Sequence, residues 1–180
     1  MITQESLKRI WEGCKVNDRK QQELLYKILS PKMLAVCMRY TSDRDEAQDV
    51  MQEGFIKIFK NIHNYRGEGS LEGWIRRIMV HSAISRYRKL KPMMLTSEVS
   101  ENSMPCYRSD QTNTMEAKEL MNIIQQLPDN YRSVFNLYAI EGYSHQEIGT
   151  MLGITELLSR TTLHRARGIL KRKVTQLQAA

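Results

Sequence analysis

No apolar run in this sequence is long enough to cross a bilayer. The longest, Met33 to Met38, falls far short of the roughly 20 residues that a membrane helix needs, and the opening MITQESLKRIWEG lacks the apolar core of a secretory signal. The chain is therefore expected to be soluble and cytoplasmic, with no membrane insertion. Cysteine is equally sparse. Cys14, Cys37 and Cys106 are odd in number and show neither CxxC nor Cys/His spacing suited to zinc, which argues for reduced thiols and against a metal site. The apolar/polar alternation of a half-buried strand is missing, leaving helical periodicity and an all-α fold. No nucleophile, base or metal constellation is visible, so catalysis is not expected and no cofactor is implied.

What is present is an excess of positive charge. With 41% hydrophobic residues the 180-residue chain can bury a core, and a formal net charge of +7 with a pI of about 9.4 suggests a polyanionic partner. Periodicity also divides the chain. From Lys91 to Asn113, KPMMLTSEVSENSMPCYRSDQTN loses it, carries Pro92 and Pro105, and is rich in Ser, Thr and Asn. We read 92–113 as a flexible linker between helical modules at 1–91 and 114–180, because structureless segments of this length are uncommon inside compact domains.

The second module contains EGYSHQEIGTMLGITELLSRTTLHRARGILKRK, from Glu141 to Lys173. Ser144 and Glu147 are spaced as a capping box that starts a helix. Ile148, Met151 and Leu152 give it an apolar face, Gly153 can end it in the left-handed conformation, and Thr155 caps a second helix after Ile154 plugs the turn. Small Gly149 allows close approach, and the whole reads as a helix-turn-helix. From Ser159 to Lys173 the second helix carries Arg160, Arg165, Arg167, Lys171, Arg172 and Lys173 without one acid, beside a buried stripe of Leu163, Ala166 and Leu170. Thr155, Glu156, Arg160, Thr161 and His164, near its start, are placed to reach base edges in a major groove, with the later basic residues on phosphates.

In the first module, SDRD at Ser42–Asp45 caps a helix whose core stripe is Ala47, Val50, Met51, Phe55, Ile58 and Ile62. On its other face Asp45, Asp49, Gln52 and Glu53 surround Ile56, an acidic rim about an apolar centre that suits docking to a basic protein surface. Gly67 and Gly69 make Asn64–Gly69 a mobile loop. Ser70 caps the next helix, with Leu71, Trp74, Ile75 and Ile78 facing the core. No acid occurs from Gly73 to Ser97, against Arg76, Arg77, Arg86, Arg88, Lys89 and Lys91. Arg77, His81, Ser85 and Arg88 form a stripe beside the buried face. Basic side chains interleaved with Trp74, Tyr65 and Tyr87 suit single-stranded DNA, whose bases stack on aromatics while the backbone follows positive charge. Trp74 is expected in the core, and Tyr65 is the better stacking candidate.

Together, SDRDEAQDVMQEGFIKIFKNI, YRGEGSLEGWIRRIMVHSAISRYRK, LPDNYRSVFNLYAIEGYSHQEIGTMLGI and LHRAR resemble, in this order, a bacterial RNA polymerase sigma factor of the extracytoplasmic-function (ECF) group of the sigma-70 family. The resemblance covers roughly residues 20–91 and 115–175, and is to the minimal form without a longer N-terminal segment or C-terminal extension. It implies as partners core RNA polymerase, through its β′ clamp helices and β subunit, promoter DNA, and an anti-sigma factor where one exists. It places the polymerase contact on Asp49, Gln52, Glu53 and Ile56. Capture of the −10 element as single-stranded DNA falls to Asn64, Tyr65, Arg66, Arg77, His81, Ser85, Arg88 and Lys89. Reading of the −35 duplex falls to Thr155, Glu156, Arg160, Thr161, His164, Arg165, Arg167 and Lys171.

Departures from the family pattern are specific. His81 and Ser85 stand where the family often has Asn and Asp or Asn, so no −10 base preference carries over. The recognition helix usually opens Ser-Glu-Gly-Thr, whereas here Leu157-Leu158 follow Thr155-Glu156, and Leu158 lacks the hydroxyl for the phosphate contact expected there. The alternative is a stand-alone helix-turn-helix regulator, which would bind duplex operator tightly by itself; a DNA-processing enzyme would need a catalytic set.

Overall fold

The computed structural model describes residues 4–41, 43–90 and 115–178. The expected linker at 92–113, the capping Ser42 and Cys106 lie outside the described residues. Those residues form eight α-helices and no strand, as the all-α expectation required. None of the described helices is long and apolar enough to cross a membrane. The chain divides into two compact units, residues 1–86 and 87–180.

The first unit comprises α1 (Gln4–Lys15), α2 (Arg19–Cys37), α3 (Arg44–Lys60), a 3₁₀ turn at Ile62–Asn64, and α4 (Leu71–Leu90), whose last turn runs past the division. Local chemistry sets the starts. Asp18 caps α2 by accepting from the amide of Lys20 at 2.8 Å, and Asp43 caps α3 by accepting from Glu46 at 2.8 Å. Pro31 sits inside α2 without ending it. A proline removes one helical hydrogen bond, but Leu25, Leu29, Met33, Val36 and Cys37 are all buried along this helix and hold it to the core.

On α3, Ala47, Val50, Met51, Phe55 and Ile58 are buried as the periodicity demands. Ile62 is buried too, but in the separate turn, because the helix stops at Lys60. On α4 the core face differs from expectation. Leu71 and Ile75 are buried, Trp74 and Ile78 only half so, and Met79, Val80, Ser82, Ala83 and Ile84 complete the face. Ser82 is tolerated there because Lys57 donates to its hydroxyl at 3.0 Å.

The second unit comprises α5 (Met115–Gln125), α6 (Asp129–Phe135), a π turn at Asn136–Ile140, α7 (His145–Leu152) and α8 (Glu156–Gln178). Ile123, Ile124, Leu127 and Tyr131 pack against Ala166 and Leu170 of α8. Arg132, buried among them, satisfies its charge locally by donating to Asp129 at 2.8 Å and to the Gln125 carbonyl at 3.0 Å.

Candidate functional sites on the two units

The outer face of α3 carries Asp45, Asp49, Gln52 and Glu53, all exposed, around Ile56, which is 54% exposed. The carboxylates of this face are partly compensated from within the same unit. Arg86 reaches it from α4, with Nη2 3.4 Å from Asp49, Nη1 3.4 Å from Glu53 and Nε 3.7 Å from Glu46. Arg86 thus leaves the basic group to which the acid-free run assigned it. Helical rotation explains why: at about 100° per residue, position 86 points away from the stripe of 77, 81, 85 and 88. Long carboxylates that would swing freely are held in one row, each pair contributing about 0.2–1 kcal/mol. Replacing Arg86 by Ala should lower the urea stability of the first unit by about 0.5–1.5 kcal/mol at low salt, with the deficit shrinking at high salt. A deficit that salt leaves unchanged would point to packing instead.

Arg77, His81, Ser85, Arg88 and Lys89 are exposed on α4. Burial, and next the charge of Arg77, hold the His81 imidazole below its ordinary range, so at neutral pH it offers one donor and one acceptor rather than a cation. The loop before α4 is closed by its own tyrosine. Tyr65 donates to the Gly69 carbonyl at 2.8 Å, and Gly67 and Gly69 take positive φ values of 80° and 75° that favour glycine. Its half-buried ring meets Trp11 edge-on at 5.8 Å between centroids and Trp74 at 5.7 Å. Nothing in the spacing of the sequence linked this loop to Trp11 on α1, with α2 and α3 lying between them in the chain. Asn64 and Arg66 flank the tyrosine and are exposed. Beside the loop lies a cleft of about 920 Å³, lined in part by Trp11, Lys15, Lys32, Tyr65, Arg66 and Arg76.

In the second unit the helix-turn-helix forms as the caps dictate. The Ser144 hydroxyl accepts from the Glu147 amide at 3.2 Å while the Glu147 carboxylate accepts from the Ser144 amide at 2.8 Å. Gly153 ends α7 at a φ of 71°, and Thr155 caps α8 by accepting from the Leu158 amide at 3.1 Å. The role of Gly149 is sharper than helix approach: a Cβ there would stand 2.8 Å from the Ile154 carbonyl oxygen, in the backbone of the turn. Gly149→Ala should therefore destabilise this unit by about 1–3 kcal/mol, read from its urea midpoint, since a backbone oxygen cannot swing aside as a side chain can.

Leu163, Ala166 and Leu170 are buried, and Ser159 and Thr162 join them. The Ser159 hydroxyl lies 2.9 Å from Nδ1 of His145, tying α8 to the start of α7. Burial, then the Arg160 and Arg167 charges, hold His145 below its ordinary range, and its ring stacks on Tyr138 at 4.5 Å. The Arg167 guanidinium stands 5.5 Å from the Tyr138 ring centre. These links escaped the sequence because a serine in an apolar stripe reads as a surface break until its partner is placed. Thr155, Glu156, Arg160, Thr161, His164, Arg165, Arg167 and Lys171 are all exposed. Glu156 accepts from Arg160 Nε at 3.1 Å, and the Thr161 hydroxyl donates to the carbonyls of Leu157 at 3.2 Å and Leu158 at 3.0 Å.

Residues 25–92 match the model of sigma-70 region 2, and residues 117–170 match that of sigma-70 region 4. The chain belongs to the sigma-70 family. Within it, this sigma factor falls in the ECF group. It is 29% identical to RNA polymerase sigma-H factor of Pseudomonas aeruginosa over 93% of each chain. It is 28% identical to ECF RNA polymerase sigma factor SigW of Bacillus subtilis over 98% of this chain and 99% of that one. Among solved structures, the sigma factor RpoE in complex with the anti-sigma factor NepR from Bartonella quintana shares the fold, at a TM-score of 0.53 and 18% identity, over 85% of this chain and 96% of that one. As a sigma factor the chain directs core RNA polymerase to promoters, and families of this kind act in initiation without catalysing a reaction.

Proposed function

We propose that residues 1–91 dock on the polymerase β′ clamp helices through Asp49, Gln52, Glu53 and Ile56, and hold the −10 element as a single strand. The loop at Asn64–Ser70 and the row Arg77, His81, Ser85, Arg88 and Lys89 carry that strand. Residues 114–180 read the −35 duplex with α8, and 92–113 join the modules past the β subunit. The observation that supports this reading best is the segregation of charge in the first unit. Carboxylates and an exposed isoleucine occupy the outer face of α3, while the exposed cations of α4 form a separate row. A protein surface and a nucleic acid can thus be bound at once. The factor would work in the cytoplasm, where polymerase and promoter meet. Because the RpoE relative was solved with an anti-sigma factor, we also propose that such an inhibitor would act here by covering the α3 face or the α4 row.

A titration of the full chain on core polymerase with duplex −35 and single-stranded −10 oligonucleotides tests the division of labour. Arg160→Ala should weaken only the duplex, and Arg66→Ala only the single strand. Tight binding of a duplex operator by the chain without polymerase would favour the stand-alone regulator instead.

A further inference from the structure

The first turn of α8 carries an apolar side chain where a DNA-reading surface is expected to be polar. Leu157 is 72% exposed and Leu158 is 37% exposed. The buried stripe of α8 runs through Ser159, Thr162, Leu163, Ala166 and Leu170. At about 100° per residue, position 157 points almost directly away from that stripe, which makes Leu157 the crest of the helix, between Arg160 and Thr161 and one further turn from His164. A single exposed leucine is ordinary on a protein surface. This one stands at the end of a recognition helix that meets base edges.

Its polar neighbours are already engaged. Arg160 is held by Glu156, and the Thr161 hydroxyl is turned back onto the carbonyls of Leu157 and Leu158. Farther along, Arg165, Lys171 and Arg172 are exposed cations at positions suited to phosphates. In the major groove the apolar feature that distinguishes one base pair from another is the C5-methyl of thymine. Resting on the proposed −35 reading, we propose that Leu157 is a specificity-determining residue that packs on a 5-methylpyrimidine, a thymine methyl in the −35 duplex. The hydrophobic contact replaces hydrogen-bond readout at that step, and the position selects T·A pairs by methyl burial.

The test removes only the methyl group. Wild-type holoenzyme first selects its own −35 duplex from a randomised pool. Each thymine in the selected element is then replaced singly by deoxyuridine, which keeps the pairing and the O4 acceptor. One or two positions should lose about three- to tenfold in affinity, the scale of one buried methyl. Holoenzyme carrying Leu157→Ala, a substitution on an exposed helical position that favours helix, should bind thymine and deoxyuridine duplexes equally. No sensitive thymine in the wild type, or full sensitivity persisting in the variant, overturns the proposal. If the variant loses affinity for core polymerase in the absence of DNA, the leucine covers a protein surface and the proposal also falls. If wild-type holoenzyme selects no −35 duplex while still binding core polymerase, the −35 reading itself has failed, and the proposal with it.

Discussion

Replacing both Asp49 and Glu53 by Lys lowers affinity for core RNA polymerase by on the order of a hundredfold, since like charges set across an interface cost several kcal/mol. The effect is expected to be large because both carboxylates are exposed on one helical face with Ile56 one turn beyond Glu53. They meet any partner on that face first. The reversal also sets two ammonium groups beside Arg86, which lies 3.4 Å from each carboxylate. That repulsion falls on a surface site and is limited to about 1 kcal/mol of stability. The neutral pair Asp49→Asn and Glu53→Gln separates the two effects, removing the attraction without adding repulsion around Arg86. Binding measured by competition for core polymerase should then fall in the order wild type, neutral pair, reversed pair, while urea midpoints stay within a narrow range. Unchanged affinity in the reversed pair would remove the docking assignment.

The second large effect is expected on the DNA side of the same unit. Arg77→Ala with Arg88→Ala removes two exposed cations from the α4 row, and single-strand capture by the holoenzyme should fall by about 100-fold or more, since hydrogen bonds to charged groups contribute about 1.5–3 kcal/mol each. The salt dependence should flatten as well. Neutralising one phosphate fewer on a single strand reduces the slope of log affinity against log salt by about 0.7, so the double variant should be shallower by about 1.4. Duplex −35 affinity should not change. A lower affinity with an unaltered slope would mean that these arginines support the helix rather than touch phosphate. His81, held neutral by burial and by Arg77, should regain part of its ordinary range in this variant, because removing a neighbouring cation favours the protonated ring.

The fold was largely legible because its signals are local. The capping box at Ser144 and Glu147, the left-handed Gly153 and the threonine cap at 155 need only a few residues each, and all formed as spaced. The core stripe of α3 was equally readable from its period. What escaped depended on tertiary placement. Arg86 looked like one more cation in an acid-free run, although its rotation on α4 sends it to the carboxylates of α3. Tyr65 looked free beside two glycines, yet Trp11 and Trp74 pack against it and the Gly69 carbonyl accepts from its hydroxyl. Ser159 and Thr162 interrupt an apolar stripe in sequence but are buried in the structure, the first because His145 stands within hydrogen-bonding distance. Periodicity reports which face of a helix is turned inward; it does not report which partner waits there.

The most direct test of the whole account is permanganate reactivity of promoter thymines in a reconstituted initiation complex. With core polymerase and this chain together, non-template thymines of the −10 element should become reactive, while the −35 element stays duplex and protected, and transcripts should start downstream. Arg77→Ala with Arg88→Ala should abolish the reactivity without abolishing −35 protection. Protection of a duplex by the chain alone, with no opening and no transcript on adding core polymerase, would contradict the account and describe a regulator that acts without polymerase.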